Sequence, residues 1–130
     1  MDDTDLHRIL YVEDDADIRS VASFALEEIG RFTVEACESG LLALQRAADF
    51  APQLLLLDVM MPGMDGPTTL LRLRELPATA KVPAIFMTAK VQPQEIRRYR
   101  EMGALEVISK PFDPMTLSDT VRAIWGRRHG

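Results

Sequence analysis

The chain is poor in the groups that carry most redox, nucleophilic and transition-metal chemistry. Its 130 residues include one cysteine, Cys37, and two histidines, His7 and His129, near opposite ends. A lone cysteine cannot close an internal disulfide, which fits a reducing, cytoplasmic setting. Cys37 follows an apolar strand pattern and reads as a small hydrophobe. Without a His and Cys cluster, zinc has no ligand set. No apolar run approaches the roughly 20 residues a membrane-spanning helix needs, and the acidic start Met1-Asp2-Asp3-Thr4-Asp5 is unlike a secretory signal. Positive charge is also in deficit, 15 Lys and Arg against 20 Asp and Glu, a net charge of −5. That balance argues against direct nucleic-acid binding by the surface as a whole, although Arg97, Arg98, Arg100, Arg127 and Arg128 make the last third locally basic. Internal repeats, linkers and low-complexity tails are missing too. One domain spanning 1–130, with a core from about 8 to 127, is the expectation.

What the chain does have is a sharp boundary in its middle. Leu54-Leu55-Leu56-Leu57 ends in Asp58, and a turn-rich run follows, Val59-Met60-Met61-Pro62-Gly63-Met64-Asp65-Gly66. A short apolar run bounded by turn signals predicts a strand buried on both faces of a parallel sheet. Asp58 then stands at its carboxyl end, where open α/β sheets place their chemistry.

The flanking sequence supplies four further strands and five helices. Residues 8–12 form the first strand and lead into Glu13-Asp14-Asp15. From Asp17, residues Ile18, Val21, Ala22, Ala25, Leu26 and Ile29 recur at helical spacing, and Gly30 stops the helix. Residues 32–36 read as a second strand. Ser39 caps a second helix with Leu41, Leu42, Leu44, Ala47 and Ala48 on its buried side, ended by Pro52. Leu70, Leu71 and Leu73 mark a third helix ending near Leu76-Pro77. A fourth strand over 82–87 runs into Thr88, with Pro83 tolerated near its start. The helix from about Pro93 has the thinnest apolar face, Ile96 and Met102. Gly103 opens a fifth strand over 104–109 that meets Lys110-Pro111. Asp113-Pro114 reads as a cap and first-turn proline for a last helix carrying Leu117, Val121 and Ile124. Alternating strands and helices of this kind predict a doubly wound parallel sheet with helices on both faces.

All carboxyl ends of a parallel sheet share one edge. Four of the five strands bring a polar group there: Glu13 and Asp14, Asp58, Thr88 and Lys110. Three converging carboxylates repel one another and invite a hard dication. Mg²⁺ takes oxygen ligands, keeps several waters and commonly pairs one or two carboxylates with a phosphate. An acidic Mg²⁺ pocket facing an amine and a hydroxyl suits phosphoryl transfer to a carboxylate.

With these motifs the chain resembles the receiver domain of bacterial response regulators, the phosphoacceptor half of two-component signalling. The resemblance runs from Ile9 to about Arg127 and rests on Ile9-Leu10-Tyr11-Val12-Glu13-Asp14-Asp15, the Asp58 to Gly66 run, Met87-Thr88-Ala89 and Lys110-Pro111-Phe112. It implies a flavodoxin-like sheet in the order 2-1-3-4-5, and Asp58 as phosphoacceptor for a sensor histidine kinase or histidine phosphotransfer protein. Mg²⁺ would be bound by Asp14, Asp58, Glu13 and the Met60 backbone carbonyl. Lys110 would pair with a phosphoryl oxygen, next to a cis Lys110–Pro111 peptide, and Thr88 would move to hydrogen-bond the phosphoryl group. Asp15 is placed at the helix start, where its charge suits the helix dipole, and Asp65 in the turn. The domain would be no enzyme beyond accepting and slowly losing its own phosphoryl group. It would act as a monomer or a phosphorylation-dependent dimer, standing alone or cut from a longer chain, through an unknown downstream protein. Its usual readout face, the fourth helix with the fifth strand and helix, would include Arg97, Arg98, Arg100 and Trp125.

One position departs from the pattern. Three residues before Lys110 the family usually carries a Tyr or Phe, and here stands Val107, which has no ring to swing. Tyr99 or Phe86 is then the candidate reporter. Three alternatives use the same residues differently. An aspartyl-nucleophile phosphohydrolase wants a second Asp where Met60 stands. A flavodoxin-like cofactor module wants a glycine- and hydroxyl-rich loop where the three acids stand. A degenerate receiver would bind partners without phosphorylation.

Overall fold

In a computed structural model that describes residues 5–128, the leucine run is the centre of the sheet. Strand β3 (Leu54–Asp58) is buried at every position, which requires helices on both of its faces. It pairs in parallel with β1 (Arg8–Val12) on one side and β4 (Ala84–Thr88) on the other. Outside these lie β2 (Thr33–Cys37) and β5 (Ala104–Ser109), giving the order β2-β1-β3-β4-β5. This is the doubly wound sheet that the alternation predicts. The acidic start, 1–4, and His129 lie outside the described residues.

Five helices cover the sheet. α1 (Ala16–Phe24) continues into a π-helical turn over Ala25–Ile29, and with α5 (Leu117–Gly126) it packs on one face. There Ala22, Leu26, Leu117, Val121 and Ile124 meet Ile9, Tyr11, Leu54, Leu56, Ile85 and Met87. α2 (Gly40–Phe50), α3 (Gly66–Arg74) and α4 (Pro93–Glu101) cover the other face over Leu10, Val12, Leu55, Leu57 and Phe86. The period-2 alternation of strand residues therefore splits the core into two layers. Among the described residues no helix is long and apolar enough to cross a membrane.

Several helix faces differ from the expected stripes. Leu41 and Ala48 are exposed, and α2 is buried through Gly40, Ala43 and Ala47 instead. Small residues there let α2 approach α3 closely: a Cβ on Gly40 would stand 2.2 Å from Thr69 Oγ1. Leu71 points to solvent because α3 is buried through Leu70 and Leu73, and the intervening turn angle carries Leu71 outward. Val21 and Ile29 are also exposed. The π turn adds a residue to its turn and rotates Ile29 out of the α-helical stripe, while Val21 faces the loop between β5 and α5. With Phe24 and Met115, both exposed, they make an apolar strip along α1.

Element ends also shift. β4 begins at Ala84 because Pro83 has no N–H to give, although its carbonyl accepts from the Leu55 amide at 2.9 Å. β2 starts one residue later than expected, after Arg31 at φ 64°, and takes in Cys37. α3 ends at Arg74, short of Leu76. Asp113 does not cap α5: its carboxylate accepts from the Met115 amide in a separate turn, and the helix opens at Leu117 behind Thr116. The expected cap at Ser39 and the start of α4 at Pro93 are present, and Asp15, expected at the helix start, is the N-cap of α1.

Candidate functional site

The carboxyl edge of the sheet collects the expected residues by register alone. Tyr11 pairs with Leu56, so Glu13 and Asp58, each two residues further on, leave neighbouring strands on the same face. Asp58 in turn pairs with Met87, and Thr88 is the next and last residue of β4. Thr88 pairs with Ser109, which precedes Lys110. The Lys110–Pro111 peptide is cis, as the resemblance implied. Beyond Asp58 the chain turns through Gly63 at φ 76° into α3, capped by Asp65, whose carboxylate accepts from the Thr68 amide at 2.8 Å. Gly66 is packed so closely that a Cβ would lie 2.3 Å from the Asp58 carbonyl oxygen. No side chain fits there.

Oxygens of Glu13, Asp14 and Asp58 lie within 4.8 Å of one another. Glu13 and Asp58 are buried, at 1% and 3% exposure, whereas Asp14 is open to solvent. Lys110 spans the two buried carboxylates, donating to Asp58 Oδ1 at 2.9 Å and Glu13 Oε1 at 3.0 Å. Thr88 Oγ1 accepts from the Lys90 amide at 3.1 Å, which leaves the hydroxyl proton free for another acceptor. The Met60 side chain is exposed and takes no part in the cluster. Asp15 stands outside the cluster, as the N-cap of α1.

The donor set is all oxygen, with no nitrogen or sulfur, and suits a hard dication such as Mg²⁺ better than a soft metal. Electrostatics agree. Burial pushes the Asp58 carboxyl up to about 6; the Lys110 hydrogen bond opposes this, and the charge on Glu13 adds to it. Burial alone would lower the Lys110 ammonium, but its hydrogen bonds to Asp58 and Glu13 outweigh this and raise it. One ammonium does not neutralise three carboxylates. One pleat before Glu13 on the same face, the buried Tyr11 hydroxyl has no hydrogen-bond partner among the described residues, and burial raises its pKa so that it stays a neutral donor.

Sequence spacing gave no reason to include Arg19. In the structure its guanidinium reaches back from α1 and donates to the backbone carbonyl of Glu13 at 2.8 Å and to that of Asp14 at 3.4 Å. Tyr99 is the buried residue of α4, and its ring meets Phe86 edge-on with centroids 5.0 Å apart. Phe86 is the register partner of Val107, which is half-buried.

The raised Asp58 pKa has a consequence for stability. The folded protein holds this proton more tightly than the unfolded chain, so the associated stability is complete below pH 3.8 and is lost as pH rises through about 6. Without divalent metal, Asp58→Asn is therefore expected to be more stable than the wild type above pH 6, by on the order of 1–2 kcal/mol. The gap should close toward pH 4. Urea denaturation in a chelating buffer across pH 4–8 measures it, and a gap independent of pH would contradict the assigned strain.

Comparison with known proteins agrees with the geometry. The family model for the response regulator receiver domain matches residues 9–122. The chain is 37% identical over 123 residues to the transcriptional regulatory protein CseB of Streptomyces coelicolor, covering 95% of this chain and 51% of that protein. It is likewise 37% identical over 120 residues to the phosphate regulon transcriptional regulatory protein PhoB of Escherichia coli, covering 92% and 52%. The chain thus spans about half the length of these relatives. Among solved structures, the chemotaxis protein CheY4 of Vibrio cholerae superposes with a TM-score of 0.84 at 28% identity, covering 92% of this chain and 98% of that one. With the match over residues 9–122 and the strand-end site in one place, the chain belongs to the response regulator receiver domain family of two-component signalling.

Proposed function

We propose that this chain accepts a phosphoryl group on Asp58 from a phosphohistidine of a sensor histidine kinase or histidine phosphotransfer protein, and that the change this causes controls binding of a downstream protein. The observation that carries the reading is Lys110 bridging two buried carboxylates within a three-carboxylate cluster. Three negative charges against one ammonium leave two uncompensated, the charge of one dication. Glu13, Asp14, Asp58 and the Met60 carbonyl would hold Mg²⁺, which when bound would neutralise phosphoryl oxygens.

The chain's own groups divide the remaining work. An Asp58 oxygen attacks phosphorus, an O–P bond forms, and the P–N bond to the donor histidine breaks with its electron pair leaving on the imidazole. Lys110 holds Asp58 in place before transfer and is positioned to pair with a phosphoryl oxygen after it. The Thr88 hydroxyl, with its proton unspent, hydrogen-bonds the new group. Nothing at Met60 offers the general acid that a phosphohydrolase would need, since a thioether cannot give up a proton. A purely phosphorylation-independent module would gain nothing from burying an unneutralised carboxylate at Asp58.

A protein donor must come to the same edge. A groove of about 250 Å³ lined by Ile18, Val21, Pro111, Phe112 and Pro114 runs up to Lys110, and the exposed strip of Phe24, Ile29 and Met115 extends it. An exposed apolar strip continuous with a reacting site suits a docking surface. Readout would pass through α4. With Tyr99 as its buried anchor on Phe86, the helix is held by little else on its apolar side. Phe86 lies two residues before Thr88, so a movement of Thr88 would reach Tyr99 through β4.

Acetyl phosphate with Mg²⁺ should add one phosphoryl mass to the wild type, and none without Mg²⁺ or in Asp58→Asn; intact mass spectrometry decides, and an adduct retained in the variant would move the nucleophile elsewhere. Phe24→Ala should leave labelling by acetyl phosphate within about twofold while slowing transfer from a phosphorylated histidine phosphotransfer protein by about tenfold. Equal rates from the protein donor would remove the strip from the reading. Tyr99→Leu should be phosphorylated normally yet lose most of the change in α4 amide exchange that phosphorylation causes in the wild type. An unaltered exchange change would rule out Tyr99 as the reporter.

A further inference from the structure

The two carboxylates contributed by the loop after β1 are held very differently. Glu13 is fixed through its side chain, which accepts from Lys110 Nζ at 3.0 Å and from the Asp15 amide at 3.1 Å. Its own amide continues the ladder to the Cys37 carbonyl at 3.0 Å. The Asp14 carboxylate is exposed and takes no hydrogen bond among the described residues. What fixes Asp14 is its backbone, and the side chain gripping that backbone is Arg19, through the carbonyls of both Glu13 and Asp14. Arg19 is itself held rigidly. It lies in the first turns of α1, its amide bonds to the Asp15 carbonyl at 2.9 Å, and Asp15 caps the helix through the Ile18 amide at 3.0 Å. Strand end, acidic loop and helix start form one closed truss.

We propose that Arg19 is a positioning residue for the acidic site. By gripping the carbonyls of Glu13 and Asp14 it holds the loop so that both carboxylates converge with Asp58 before a cation arrives. The inference rests on the metal reading of this site given above. A guanidinium bonded to the backbone of two ligand-bearing residues also acts in the opposite sense, since its charge would repel a dication. Preorganisation and repulsion therefore predict changes of opposite sign when Arg19 is removed. Partners that orient a metal's ligands typically hold 10- to 100-fold of its affinity, and two hydrogen bonds to ligand-bearing residues place Arg19 in that class.

Two variants separate these effects. Both bonds leave one guanidinium nitrogen, Nη1, so Arg19→Lys keeps the charge and a single donor on a shorter, more flexible stem, and Arg19→Met removes charge and donor together. Titration of each full chain with MgCl₂, followed through the backbone amide shifts of residues 13–15, reads affinity with no phosphoryl transfer involved; urea melts establish that each variant is folded at the titration temperature. Affinity should fall about tenfold in Arg19→Met and by a smaller factor in Arg19→Lys. With acetyl phosphate, the half-saturating Mg²⁺ concentration should rise in step while the rate at saturating Mg²⁺ stays within about twofold of the wild type. Unchanged or tighter Mg²⁺ binding by Arg19→Met would overturn the proposal, leaving the guanidinium at most a repelling charge. A lower saturating rate with unchanged Mg²⁺ half-saturation would overturn it as well. If the wild type itself shows no Mg²⁺-dependent shifts, the metal reading of the site fails, a result distinct from failure of Arg19 alone.

Discussion

The bridge from Lys110 to Glu13 and Asp58 is the contact on which the rest of the site depends. Burying a carboxylate is costly unless it is paired, and two are buried here within reach of one another. The ammonium joins the ends of the neighbouring strands β1 and β3 to β5, which lies beyond β4 in the sheet. It can do so only because the sheet is parallel, with every carboxyl end on one edge. The compensation is incomplete, as the raised Asp58 pKa shows. On the proposed reading that shortfall is the functional property: a site fully neutralised by its own side chains would have no use for a dication and little pull on a phosphoryl group.

Much of this was legible in the sequence, for a physical reason. A strand buried on both faces must be apolar along its length, so its first polar residue announces the edge of the sheet. Val12 to Glu13, Leu57 to Asp58 and Met87 to Thr88 are such transitions, and the structure brings them together with Lys110, which follows the half-buried edge strand β5. One cap was legible for a similar reason, Ser39, whose hydroxyl satisfies an amide its helix leaves unpaired; Asp15 and Asp65, read as a helix-start charge and a turn residue, turn out to cap α1 and α3 in the same way. The helix faces were less readable. Leu41, Leu71, Val21 and Ile29 have the right composition for a core and the wrong angle: Leu41 stands off the close α2–α3 contact made through Gly40, the π turn carries Ile29 outward, and Leu71 and Val21 lie off the buried sides of their helices. Neither the close contact nor the π turn has a periodic signature. Arg19 was invisible for a different reason. Its partners are backbone carbonyls, which every residue has, so no residue type at any spacing points to them.

The sheet and the helices around it are not equally firm. β1, β3 and β4 are buried from end to end except at Arg8, while α4 exposes most of its surface and buries Tyr99. An ion pair from Arg100 to Glu106 at 2.6 Å ties it to β5, but that pair is open to solvent and adds little to its hold. A rigid site beside a lightly held helix is a favourable arrangement for signalling, because a small displacement at the site meets resistance in the sheet and yields in the helix.

Val107 sharpens this. A β-branched residue on β5 fills its space with one rotamer and cannot report a rearrangement by swinging. The aromatic contact instead lies one layer away, between Phe86 on β4 and Tyr99 on α4. A ring on β5 can change state while the helix stays in place. A ring on α4 packed against β4 is tied to the helix directly, so on the proposed reading a shift of the Phe86 contact would be passed to α4. On that reading, an aromatic on the helix and not on the strand would make α4 its own reporter. It would also remove the need for a cavity into which a β5 ring could turn.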